Sequence, residues 1–184
     1  MSAETLPFDW VISDTHIQHK NINKYCNRTT PMFPRPEDVD NLIYFNWRGL
    51  VKPNDRILHL GDVCKWDQGE PIPELKELPG RKFLVKGNHD IYKDEWYEQH
   101  GFEIIPPVVF LHQHPKGEML VHMDHYPKKP LNKGEVSVHG HEHNNPSYST
   151  PSHMNVSVEL THFAPLPLSA VLEKLAWHST RKAR

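Results

Sequence analysis

One pattern constrains this chain more than any other. Five short apolar runs read as strands, and each ends on Asp, His or Asn. Phe8–Ser13 runs into Asp14-Thr15-His16, Asp55–Leu60 into Gly61-Asp62-Val63, and Arg81–Lys86 into Gly87-Asn88-His89-Asp90. Glu118–Val121 leads to His122-Met123-Asp124-His125, and Glu135–Val138 to His139-Gly140-His141-Glu142-His143. Any one of these tips has an ordinary reading as a polar turn or a helix cap. Five together are hard to explain that way. Strand ends are where open α/β sheets place their ligands. Asp14 and His16, one residue apart, point to the same side of an extended backbone and can share an ion.

The connections between the runs set the fold class. The spacing predicts a helix from Pro36 to about Leu50, with Val39, Leu42, Ile43, Tyr44, Phe45 and Trp47 on its buried face. Shorter helices are predicted over Ile72–Leu78 and Tyr92–His100, and a last one over Leu168–Trp177. Further strands are expected at Phe102–Ile105, Val108–Leu111 and Met154–Leu160, the last with alternating Val156 and Val158. Ile17–Pro36 reads as a loop with a short helical piece. There Arg28 is either a phosphate contact or a solvated side chain. Lys128–Gly134 reads as a basic loop that is solvated or flanks an anionic substrate. Asn144–His153 reads as a polar loop, and Ser179–Arg184 as a basic tail that frays. Helices interleaved with strands predict an α/β chain of the α+β type. With 184 residues and no internal linker, one domain over 1–184 is expected.

Composition narrows the chemistry. Fifteen His against two Cys points to nitrogen and oxygen ligands rather than a cysteine zinc site. Cys26 and Cys64 make no disulfide framework, so a reduced, cytoplasmic setting is expected. No apolar run approaches the roughly 20 residues that span a bilayer, and Met1–Asp9 does not read as a signal peptide. Neither a membrane partner nor an export route is expected. Lys and Arg number 21 against 23 Asp and Glu, so no extended nucleic-acid surface is expected either. Nothing in the sequence bears on oligomeric state. Asp14, His16, Asp62, Asn88, His125, His141 and His143 form a set without thiolate that suits Mn²⁺, Fe or Zn²⁺. Seven ligands exceed one tetrahedral ion, so two ions sharing a carboxylate are expected.

The ordered set Asp14-Thr15-His16, Gly61-Asp62, Gly87-Asn88-His89-Asp90, His125-Tyr126-Pro127 and Gly140-His141-Glu142-His143 resembles the calcineurin-like metallophosphoesterases. It is most similar to their small single-domain members. The resemblance implies a four-layer αββα sandwich of two packed mixed sheets flanked by helices. It also implies residue roles. Asp14, His16 and His143 hold the first of two divalent ions, and Asn88, His125 and His141 hold the second. Asp62 bridges them, and His89 protonates the leaving oxygen without binding metal. Manganese is the first expectation, with Fe, Zn, Ni and Co as alternatives. His122 competes with His125 for the fourth motif; the aromatic-proline pair Tyr126-Pro127 favours His125. The chain departs from the pattern at Lys65, where many relatives carry an Asp that orients the catalytic histidine; either Asp67 or Asp90 substitutes, or His89 has no carboxylate partner.

Two divalent ions and two carboxylates leave a net charge of about +2, which draws in phosphate oxygens and acidifies a bridging water toward a pKa of about 7. The resulting hydroxide attacks phosphorus in line, and His89 protonates the departing alkoxide. The resemblance and the missing carboxylate favour a phosphodiesterase acting on a small nucleotide-type diester, cyclic nucleotides included. The alternatives are a phosphomonoesterase, a nuclease, or a catalytically inactive metal- or partner-binding module.

Overall fold

The computed structural model describes residues 6–19, 21–64, 71–115, 117–145 and 150–181. In chain order its elements are β1 (Trp10–Ile12), α1 (Ile22–Cys26), α2 (Pro36–Leu50), β2 (Arg56–His59), α3 (Pro73–Glu77), β3 (Arg81–Leu84), α4 (Asp94–Gln99), β4 (Phe102–Ile104), β5 (Val108–His114), β6 (Gly117–Asp124), β7 (Glu135–His139), β8 (His153–Asn155), β9 (Leu166–Pro167) and α5 (Leu168–Arg181). The strands form two mixed sheets flanked by helices. One has the order β4-β3-β2-β1-β9, the other β5-β6-β7-β8. β1 to β4 run parallel and β9 antiparallel to β1, while β6, β7 and β8 run parallel and β5 antiparallel to β6.

The period-2 alternation of the strands divides the core into two clusters. Ile12, Ile57 and Leu84 face outward with Val39, Ile43, Tyr44 and Trp47 of α2, Leu75 of α3 and Tyr97 of α4. Val11 and Leu58 face the opposite way and meet Met119, Val121, Met123, Val136 and Val138 of the second sheet, with Leu168, Val171, Leu172 and Leu175 of α5. The second cluster joins the sheets and makes them one structure. α2 starts as its sequence directs: Pro36 occupies the first turn and Asp38 takes the Arg35 N–H at 3.0 Å.

Some expectations need correction. Phe45 lies on the outer face of α2 and is 75% exposed. The predicted strand Met154–Leu160 stops at Asn155 and becomes a 3₁₀ turn at Val158–Leu160. Val156 and Val158 are both fully buried, as the alternation implies, but in different clusters. The chain there crosses from one core to the other, so the ladder cannot continue. β9, only two residues long, carries too little pattern to be read from sequence. Arg28 is neither solvated nor turned toward a substrate: it is buried, and its donors go to Thr15 O, Asp14 O and Glu159. Helix α5 runs on to Arg181, through part of the segment expected to fray. Lys65 and Asp67 lie outside the described residues, as does the end of the tail. Cys26 and Cys64 are free and buried. No helix among the described residues is long and apolar enough to cross a membrane.

Candidate metal centre

Parallel strands bring their carboxyl ends to one edge, and here the edges of both sheets meet. β1, β2 and β3 deliver Asp14, Asp62 and Asn88 side by side, while β6 and β7 deliver His125 and His141. Backbone bonds continue the pairing past the strands: Asp14 N–H to Gly61 O and His16 N–H to Asp62 O, both 3.0 Å. Gly140 N–H reaches His125 O at 3.1 Å. A parallel bridge from Ser13 to Ser157 ties the two sheets together at this point. Thr15, between the first two motif residues, donates to Val63 O at 2.7 Å and meets His59 Nε2 at 3.0 Å.

Asp90 strengthens the junction. Its carboxylate accepts the amides of Asp62 (2.6 Å), Val63 (3.0 Å) and Gly87 (2.8 Å), stapling the second motif to the third. It is thereby committed to the backbone and does not orient the His89 ring. Two glycines are required by crowding. A Cβ on Gly87 would strike Asp62 Oδ1 and the His125 ring, and one on Gly140 would strike Ser13 Oγ and Asp14 Oδ2. Five of the seven expected ligands, Asp14, His16, Asp62, His141 and His143, adopt left-handed backbone at φ 46–67°. Non-glycine residues rarely do so, and such strain concentrates at functional sites.

All seven expected side chains converge. Asp14, His16 and His143 bring ligand atoms within 4.8 Å of one another, as do Asp14, Asp62 and His125. Asp62 Oδ2 lies 3.4 Å from His16 Nε2 and 3.6 Å from His125 Nε2, while Asp62 Oδ1 accepts the His89 amide at 2.8 Å. Asn88 Oδ1 is 2.9 Å from both His125 Nε2 and His141 Nδ1, and those two nitrogens are 3.2 Å apart. His89 stands with its ring centroid 5.3 Å from that of His16. Of the two competitors for the fourth motif, His125 reaches the centre. His122 stays within β6 with its Nε2 3.6 Å from Glu135.

The electrostatics fit a cation. Burial pushes the Asp14 carboxyl up, against the pull of His143 and His125. Burial also works against the Asp62 charge, but the His16 and His125 imidazoles hold that carboxyl below the usual range. Burial pushes His16 down to about 4, so its ring is neutral at pH 7, as a ligand must be. Neither His16 ring nitrogen has a hydrogen-bond partner among the described residues, although the ring is fully buried. Such a group costs free energy unless something ligates it. Asn88 Oδ1, His125 Nε2 and His141 Nδ1 converge within 3.2 Å of one another, an arrangement a shared cation satisfies once both imidazoles present a lone pair there. His125 Nδ1 is held by Leu60 O at 2.8 Å, which directs Nε2 inward.

Several supporting residues were not read from the sequence. Ser157 Oγ donates to Asp14 Oδ2 at 2.9 Å. Glu159 Oε1 takes His143 Nδ1 at 2.9 Å and Arg28 at 2.7 Å. Burial opposes both charges of the Glu159–His143 pair, yet Cys26, their mutual hydrogen bond and the nearby carboxylates hold His143 up to about 10, and His143 and Arg28 hold Glu159 down to about 2. The metal-free His143 ring is therefore charged at pH 7 and would release a proton on ligating an ion. Cys26 lies close enough to form a third cluster with these two, but the Arg28 guanidinium in contact with Glu159 disfavours a cation there. Glu159 is read instead as the carboxylate that orients His143. Replacing Glu159 with Gln should lower manganese affinity about 10- to 100-fold, measured by calorimetric titration of metal-free protein. Unchanged affinity would contradict that role. No local signal in the sequence marks Glu159, because it stands in what reads as a strand.

The sequence profile described as calcineurin-like phosphoesterase matches residues 10–182. The chain belongs to that family. It is 28% identical to the uncharacterized protein MJ1445 of Methanocaldococcus jannaschii over 174 residues, covering 89% of each chain. It is 32% identical to the Gene 66 protein of Mycobacterium phage L5 over 84 residues, 44% of this chain and 39% of the phage protein. Among solved structures it is similar to the AQ665 protein of unknown function from Aquifex aeolicus, with TM-score 0.65 and 26% identity over 89% of this chain and 97% of that one. This phosphoesterase therefore has the family's fold, two mixed sheets with flanking helices, and candidate ligands for the divalent metals the family binds.

Proposed function

We propose that this phosphoesterase is a dinuclear phosphodiesterase acting on small nucleotide-type diesters, cyclic nucleotides among them, in the cytoplasm. Asp14, His16 and His143 are assigned to the first ion, Asn88, His125 and His141 to the second, and Asp62 to both. The observation that carries the reading is the position of Asp62 Oδ2, between His16 Nε2 and His125 Nε2 at 3.4 and 3.6 Å. The ions, with manganese preferred, supply the charge that attracts phosphoryl oxygens and the acidity that readies a water for attack on phosphorus. His89 is the proton donor to the leaving oxygen.

Two observations support a nucleotide-type diester. Tyr126 is 47% exposed and its ring lies 4.6 Å from that of His141, so an aromatic base can stack beside the second metal position. Asp90, one of the two substitutes for the absent orienting carboxylate, is taken up by backbone amides.

The test is a panel of a bis-aryl phosphate, an aryl phosphate and 2′,3′- and 3′,5′-cyclic nucleotides with the manganese-loaded protein. Diesters should exceed monoesters in kcat/KM by about tenfold or more. The reverse order would make the protein a phosphomonoesterase. A metal-loaded protein that hydrolyses none of them would be a binding module.

A further inference from the structure

A second imidazole outside the ligand set stands beside His89. His19 follows His16 by three residues, and the turn between them is an unusual one. His16 and Gln18 both take left-handed backbone, at φ 47° and 62°. His19 N–H bonds His16 O at 3.0 Å, Gln18 N–H is anchored to Asp40 of α2 at 2.8 Å, and α1 begins just beyond. Two such residues in three are sterically costly and persist only where the surroundings enforce them. Their effect is to fold the half-buried His19 back over the centre. Its ring centroid lies 5.3 Å from that of His16, at an interplanar angle of 31°, and 6.3 Å from that of His89.

His16, His19 and His89 therefore make a triangle of rings, and only one corner is a metal ligand. His16 belongs to a cluster of groups able to hold an ion; among the described residues, His19 and His89 belong to none. Imidazole N–H groups are good donors to anionic oxygen. Ring centroids 6.3 Å apart leave no room for a phosphoryl group between the rings, but two such rings can donate to the same side, each reaching a different oxygen of one tetrahedral phosphoryl group seated across them at about 2.8 Å.

We propose that His19 is a catalytic residue that hydrogen-bonds a phosphoryl oxygen alongside His89, so that the two imidazoles hold neighbouring oxygens of the phosphoryl group beside the first metal position. This rests on the phosphoesterase reading above. The spacing Asp14-x-His16-x-x-His19 is its trace in the sequence.

The test uses His19→Ala and His19→Gln in the full chain, each loaded with manganese and checked for metal content. Inorganic phosphate serves as the probe, with binding followed by calorimetry. His19→Ala should bind phosphate about 10- to 100-fold more weakly at unchanged manganese content. His19→Gln, whose amide still donates, should recover part of the loss. In turnover, kcat/KM should fall by a similar factor on aryl and alkyl esters alike, unlike a proton donor's selective effect. Phosphate binding and turnover equal to wild type would overturn the role of His19 and leave the phosphoesterase reading intact. Loss of manganese from both variants would also overturn it, because His19 would then be supporting His16. A wild type that binds phosphate but hydrolyses no ester, with binding weakened in His19→Ala, would retain the His19 contact and remove the phosphoesterase reading.

Discussion

Asp62→Asn should lose turnover on every phosphoester by about 10³-fold or more and weaken both metal positions together. The asymmetry of the carboxylate gives the reason. Oδ1 accepts the His89 amide at 2.8 Å, a bond an asparagine oxygen can keep. Oδ2 stands between His16 and His125, where the substitution places an NH₂ group. That group has no lone pair to offer a cation and removes one negative charge from the centre. The fold around it should persist, because the Asp62 backbone amide remains bonded to Asp90. Metal analysis should show both manganese ions depleted. A variant that lost only one ion, or that kept turnover within a few-fold of wild type, would refute a bridging role.

His89→Ala should separate chemistry from metal binding. General acid catalysis contributes about 10² to 10⁴-fold, and the full loss is expected on alkyl esters, whose alkoxide needs a proton to leave. Aryl esters should lose much less. The contact from His89 to Asp62 is through the backbone amide, so the variant retains it and should hold manganese as wild type does. Equal losses on both ester classes would assign His89 to binding rather than proton transfer.

Legibility followed the range of the interactions. The helix at Pro36–Leu50 could be read because its cap, its charged first turn and its apolar stripe all lie within the segment. The strand tips could be read because a glycine, a carboxylate and an imidazole stand next to one another in sequence. The segment Met154–Leu160 misled because alternation records which residues are buried and not against what: Val156 and Val158 are buried in different cores. Arg28 misled similarly. Its guanidinium suits phosphate or solvent equally well from sequence, and the partner it took, Glu159, is 131 residues away.

The amino-acid order alone determined the family, most of the strands and helices and the set of side chains competent to hold metal, since each depends on neighbours a few residues apart. Tertiary structure brings His125, which the Tyr126-Pro127 pair already favoured, and not His122 to the centre, and it alone decided that Asp90 is a staple rather than a partner for His89 and that Ser157 holds Asp14 across 143 residues. Those outcomes depend on where the edges of two sheets meet, and that is set by burial of a shared apolar core rather than by any local motif.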